Sequence, residues 1–131
     1  INGFNFPAQG PISGVYGSQR ILNGKPKSPH YGIDIALPKG HDVIAPMDGI
    51  VLFTNNDLYF SGGTLIIGHG QGLTTSYLHL SEILVKADDI IKRGELIAKV
   101  GSSGRATGPH LHWGAEWNGI RVDPQYLKVF N

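Results

Sequence analysis

The residues best suited by type to do chemistry lie in one run near the end of the chain, Gly104-Arg105-Ala106-Thr107-Gly108-Pro109-His110-Leu111-His112-Trp113. His110 and His112 are two apart, so on a β-strand both imidazoles leave the same face. Leu111 and Trp113 then point the other way, towards a core, and Gly104, Gly108 and Pro109 mark a loop feeding the strand. Such a pair can put one imidazole on a metal and leave the other beside it. A half-buried strand whose histidines only hydrogen-bond fits the pair equally well, so ligands elsewhere must decide.

His30 and Asp34 are the upstream candidates. Imidazole and carboxylate both bind zinc, with bonds of about 2 Å. A straight strand would hold residues four apart roughly 13 Å from each other, too far to share an ion. A helix would unite them, but Pro29, Gly32, Ile33, Ile35 and Pro38 oppose one. A bend at Gly32 instead lets His30 close back over the strand carrying Asp34. Two strands and one bend then present His30, Asp34 and one of His110 or His112 to a single ion. Three protein ligands with an open fourth position describe a catalytic zinc site rather than a structural one. Tyr77 and His79, again two apart on one strand face, are candidates to aim a water and move protons, as is the histidine of the first pair that does not bind metal. No HExxH occurs, which excludes a helix-borne glutamate base of that kind.

Together, His30-x-x-x-Asp34, Tyr77-x-His79-Leu80 and Gly104-x-x-Thr107-Gly108-Pro109-His110-Leu111-His112 resemble the LytM/lysostaphin-type zinc metallopeptidases, the M23 peptidase family. The likeness runs from about Gly14 to Leu127 and takes in Tyr16-Gly17-Ser18-Gln19-Arg20 and Val122-Asp123-Pro124. It implies zinc as cofactor, His30, Asp34 and His112 as its ligands, and His79 and His110 as catalytic histidines. It implies cleavage of peptide cross-links or bridges in bacterial peptidoglycan, hence a periplasmic, extracellular or wall-associated location. Arg20 matches an arginine that shapes the cleft in such domains. Tyr77 is a candidate to hydrogen-bond substrate, and packing over its strand fits it equally well. Ala87 stands where the family commonly has Gly, and His41 where it has a small hydroxyl residue; neither touches the motifs.

The elements that must position these residues are short strands. For 131 residues one domain is expected, spanning residues 1–131, and 19 glycines, about twice the average share, with eight prolines suit strands joined by tight turns. Strands are expected over Ile33–Leu37, in two runs between Asp42 and Phe53, and over Thr64–Ile67, Leu73–Leu80 and Glu95–Val100, with an Asn118-Gly119 hairpin. Ile21–Pro29 and Asn55–Gly63 read as loops, and Gly68–Gly72 as a hairpin connection. The Ser81–Lys92 segment fits either a helix or short turns. The fold class is therefore all-β, mostly antiparallel, with a barrel-sandwich-like core and a groove on one sheet face walled by loops 21–29, 55–63 and 101–109.

A formal charge of +1 provides no basic field, which argues against nucleic acid or an anionic membrane as partner. The absence of cysteine removes disulfides and thiolate ligands. No apolar run approaches a membrane span, and no signal peptide is recognised. Since the first residue is Ile1, a piece excised from a longer exported protein is expected, with a monomeric state. His69, between two glycines, reads as a turn residue or a support to a ligand, His41 as solvated, and Ser102 and Ser103 as loop hydroxyls without a nucleophile elbow.

Two other functions compete. A regulator of the same fold, binding and activating other wall hydrolases, is expected to have lost ligands, whereas every expected one is here. A biotinyl carrier is suggested by Ala45-Pro46-Met47-Asp48-Gly49-Ile50-Val51 with Ile91-Lys92-Arg93-Gly94-Glu95. It requires a lysine on an exposed hairpin flanked by methionines, and Met47 is the chain's one Met. That likeness is read as shared β architecture.

Overall fold

The computed structural model of the chain describes residues 6–14, 19–22, 25–29, 32–104, 106, 108–125 and 127, the two segments 19–22 and 25–29 by their backbone alone. Among these are thirteen strands: β1 Ile12–Gly14, β2 Gln19–Leu22, β3 Lys25–Pro29, β4 Ile33–Ala36, β5 Asp42–Ile44, β6 Gly49–Leu58, β7 Gly62–Gly70, β8 Leu73–Leu80, β9 Glu82–Ile83, β10 Ile90–Ile91, β11 Leu96–Lys99, β12 His110–Trp117 and β13 Ile120–Val122. No α-helix occurs among the described residues, and no helix there is long and apolar enough to cross a membrane.

Alternating side chains build the core. Ile33 and Ile35 on β4, Leu65 and Ile67 on β7, Tyr77 on β8, and Leu111 and Trp113 on β12 are all buried and share one face. That face belongs to an antiparallel sheet ordered β1-β4-β12-β8-β7-β6-β10, with β13 also on β12. A smaller sheet, β5-β11-β9, brings Val43, Ile97 and Ala98 into the same cluster, joined by the flanking Ala45 and Val100. The inner faces of the two sheets are thus buried against each other, the sandwich solution for strands with one apolar face.

Turn chemistry sets the register. Gln71-Gly72 connects β7 to β8 and Asn118-Gly119 connects β12 to β13, and all four residues have positive φ, as a two-residue hairpin turn requires. Strand positions expected from the sequence are met at 33–36, at 42–44 and 49–53, and at 64–67, 73–80 and 96–99. Two expectations are corrected and one open choice is decided. Ile21–Pro29 is not a loop, because Lys25–Pro29 pairs antiparallel with Gln19–Leu22. Of Asn55–Gly63 only residues 59–61 lie outside strands, because Asn55 to Leu58 continue β6 against β7. Polar side chains there carry no apolar alternation because Asn55, Asn56 and Asp57 are exposed and bury nothing. The segment Ser81–Lys92 takes its turn alternative, with two strands of two residues each rather than a helix.

Candidate metal centre and active site

The middle of the large sheet carries the site on the face turned away from the core. β12 lies between β4 and β8, and the register places His112 directly opposite Asp34 on one side and Leu78 on the other. Because Ile33 and Ile35 are drawn into the core, Asp34 must point out of the opposite face, where His110 and His112 also emerge. Asp34 Oδ1 stands 2.9 Å from His112 Nδ1 and 3.8 Å from His110 Nε2. Asp34 is buried and the two histidines are partly so, with 11 to 18% of each side chain exposed.

His79 arrives by a less regular route. Tyr77 pairs with Leu65 and Leu80 with Gly63, so three steps along β8 match two along β7. This bulge breaks the two-residue alternation, and His79 sits in it at φ 62°. Tyr77 therefore faces the core while His79 joins the site, with its ring centroid 5.1 Å from that of His110 and 6.4 Å from that of His112. A positive φ costs a non-glycine residue about 1–3 kcal/mol, sustained only by surrounding structure. Here the His79 N–H donates to the Ser61 carbonyl at 2.8 Å, and its ring Nδ1–H to the Ser103 carbonyl at 2.7 Å.

The ring partners sort the histidines. His79 and His110 each donate Nδ1–H to a backbone carbonyl, of Ser103 and of Gly108 at 2.8 Å. In the neutral imidazole this leaves Nε2 as a bare acceptor, able to take a proton. Burial pushes His79 below the usual histidine value; the Ser103 carbonyl and Asp34 pull it back while His110 and His112 push it further down. His112 instead turns Nδ1 to a carboxylate. Gly32 lies against the other edge of its ring, where a Cβ would come within 2.6 Å of Nε2.

Whether these residues suit a metal can be tested on the donors. An imidazole nitrogen and a carboxylate oxygen 2.9 Å apart form one edge of a tetrahedral N/O set, the donor chemistry zinc takes. Among the described residues no third His, Asp, Glu or Cys completes a group of three. His30, the expected third ligand, lies outside the described residues. Arg20 falls on β2, and its side chain is likewise outside them.

Tyr77 is a correction. It is fully buried, its hydroxyl bonds Thr75 Oγ1 at 2.6 Å, and burial drives that hydroxyl far above the usual tyrosine range. It packs the core and cannot reach a substrate. Sequence reading also missed the part played by Ser103, whose carbonyl anchors His79 and whose Oγ accepts the Gly63 N–H at 3.0 Å and donates to the Leu80 carbonyl at 2.9 Å. Its position in a Gly-rich loop before the HxH pair was the available signal. His69 is a core support, bonded to the Asp48 carbonyl at 2.8 Å and Thr75 Oγ1 at 2.7 Å.

Compared with known proteins, residues 28–124 match peptidase family M23. The chain belongs to that family. The M23 match encloses His30, Asp34, His79, His110 and His112. The chain is 46% identical over 86 residues to the peptidoglycan DD-endopeptidase ShyA of Vibrio cholerae, covering 66% of this chain and 20% of that protein. A zinc-containing peptidase from Vibrio cholerae superposes with a TM-score of 0.85 at 35% identity, over 92% of this chain and 38% of that one. The catalytic domain of lysostaphin from Staphylococcus simulans gives 0.77 at 30% identity, over 88% and 89%. This M23 chain spans 20 to 24% of the length of the first curated relatives it matches. The family, the all-β fold and the metallopeptidase class agree with what the motifs implied.

Proposed function

We propose that this M23 domain is a zinc-dependent endopeptidase that hydrolyses peptide cross-links of bacterial peptidoglycan, acting in the periplasm or at the cell wall. The observation that carries the reading is the Asp34–His112 donor pair flanked by two histidines whose Nδ1 atoms are tied to backbone carbonyls. His30, Asp34 and His112 are assigned to the metal. Zinc held there would supply Lewis acidity at the scissile carbonyl and a water acidic enough to attack near neutral pH. His79 and His110 offer bare Nε2 atoms on one side of that position, where they accept the proton of the attacking water and return one to the leaving amine. Once protonated, either ring donates to the oxyanion. Arg20 remains assigned to the cleft.

The DD-endopeptidase named among the relatives favours a D-alanyl cross-link over an oligoglycine bridge. A regulator that only binds other hydrolases is the second reading; the persistence of Asp34, His79, His110 and His112 in one cluster counts against it. Digestion of defined cross-linked muropeptides by zinc-loaded protein, followed by mass spectrometry, tests both. Conversion to uncross-linked products is expected. Intact substrate together with stimulation of a partner hydrolase would transfer the assignment to the regulator.

A further inference from the structure

Past Tyr77 the β8 strand leaves its regular path, and some other group must hold the break together. Gly63 on β7 and Leu80 on β8 are partners at its far side. Between them stands the Ser103 hydroxyl, which accepts the Gly63 N–H at 3.0 Å and donates to the Leu80 carbonyl at 2.9 Å. A hydroxyl has one hydrogen to give and lone pairs with which to accept, so this single side chain serves both strands. The fit is close. A Cβ on Gly62, at φ 65°, would fall 2.3 Å from Ser103 Oγ, and one on Gly104, at φ 72°, 2.5 Å from the Gly62 nitrogen. Only glycines permit that approach, which clamps the 101–109 loop to the β6–β7 tip.

The same residue presents its carbonyl to His79 Nδ1 at 2.7 Å. A carbonyl can only accept, so the proton must sit on Nδ1, and Nε2 is left bare. The His79 backbone is held separately, through its N–H to the Ser61 carbonyl at 2.8 Å. That bond sets where the residue sits, but neither the direction of its ring nor the nitrogen that carries the proton. Ring and tautomer depend on the Ser103 carbonyl, and the carbonyl on the hydroxyl that ties Ser103 to both strands. His110 is held differently, since its Nδ1 turns to the Gly108 carbonyl at 2.8 Å, two residues back in its own segment.

We propose that Ser103 is a positioning residue for the reaction, its hydroxyl bridging β7 and β8 so that its carbonyl fixes the His79 tautomer with Nε2 free to take a proton. The inference rests on the peptidase reading above, through the role given there to His79, and one arm of its test needs no hydrolysis. Zinc-loaded wild type, Ser103→Ala and Ser103→Thr are compared at about pH 8.5, above the ordinary histidine value, where the rings are neutral. Two-bond nitrogen–proton NMR of the imidazoles reads the tautomer. The expected result is an Nδ1-protonated His79 in wild type, averaging of its two ring nitrogens in Ser103→Ala, and recovery in Ser103→Thr. His110 should look the same in all three. An unchanged His79 in Ser103→Ala would overturn the proposal. So would equal disturbance of His79 and His110, which would make the hydroxyl a general brace of the loop. On cross-linked muropeptide, Ser103→Ala should lose roughly 10- to 100-fold in kcat with KM and zinc content held, and Ser103→Thr should regain most of it. Full kcat, or a loss confined to KM, would also refute the positioning role. The NMR arm decides the tautomer by itself, whereas muropeptide left intact by wild type would sink the peptidase reading. Should Ser103→Ala not fold, Ser103→Cys keeps the shape with a weaker donor and is read by the same criteria.

Discussion

Among the four described side chains of the site, what distinguishes one histidine from the next is which ring nitrogen is already engaged. His112 offers Nδ1 to Asp34 and has Gly32 against Nε2, whereas His110 has spent Nδ1 on the Gly108 carbonyl. His112→Ala is accordingly expected to lose zinc and activity together. His110→Ala is expected to keep zinc and lose roughly 10²–10⁴-fold in turnover, the range for removing a general acid–base group. Elemental analysis beside kcat for each variant decides it; zinc shed by His110→Ala and kept by His112→Ala would exchange the two roles. His79→Ala should resemble His110→Ala, and the double variant should fall short of the product of the two losses, since both act on one proton path.

At the scale of elements, the site depends on segments that hold β8 in an irregular path. Gly104→Ala places a Cβ against the β6–β7 tip at a φ that alanine tolerates poorly. A loss of about 1–3 kcal/mol in urea unfolding, with lower kcat and zinc retained, is expected, since the Ser103 carbonyl that orients His79 shifts with its neighbour. A variant as stable and active as wild type would show that the clamp is dispensable. A second element-scale effect concerns His69, which joins the Asp48 turn, β7 and β8. Its Nδ1–H can only donate to the Asp48 carbonyl, so neutral Nε2 accepts from Thr75, whose oxygen accepts in turn from Tyr77. Burial lowers its pKa below 6.5, against weaker upward pulls from the Asp48 carbonyl and charge. Between the folded and unfolded values the unfolded chain binds more protons, so stability rises with pH there. The contribution is complete above about pH 6.5 and fades as pH falls towards the folded value. Unfolding free energies at about pH 7.5 and 5.5 should therefore converge in His69→Gln relative to wild type. Parallel pH dependence in the two proteins would contradict that.

For the whole molecule, the described core is one cluster drawn from both sheets, so unfolding should be a single cooperative transition. A ligand bound to the folded chain alone raises its stability by mass action, by about 2.7 kcal/mol at a hundredfold excess over Kd. Zinc should thus raise the Tm of wild type and leave Asp34→Asn almost unmoved, because the amide keeps the shape of Asp34 and removes its charge. Differential scanning calorimetry with and without zinc measures this independently of any substrate; equal shifts in both proteins would place the metal elsewhere.

The sequence alone determined the strand period, the outward face of His110 and His112, the inward face of Leu111 and Trp113, and the motif set that leads to M23. These are local properties: alternation is built into an extended backbone, and motif spacing survives without a fold. Hairpins with enough polar residues escaped it, since β6 continues through Asn55–Leu58 by backbone pairing that no apolar pattern announces. The tertiary structure alone decided that Tyr77 and His79 part company, because a bulge is set by the register of β8 against β7. It alone brought Asp34 to 2.9 Å from His112 across 78 residues of chain, and set Ser103 beside His79. Such contacts depend on which strands become neighbours, and that is settled by burying one common core rather than by any single stretch of residues.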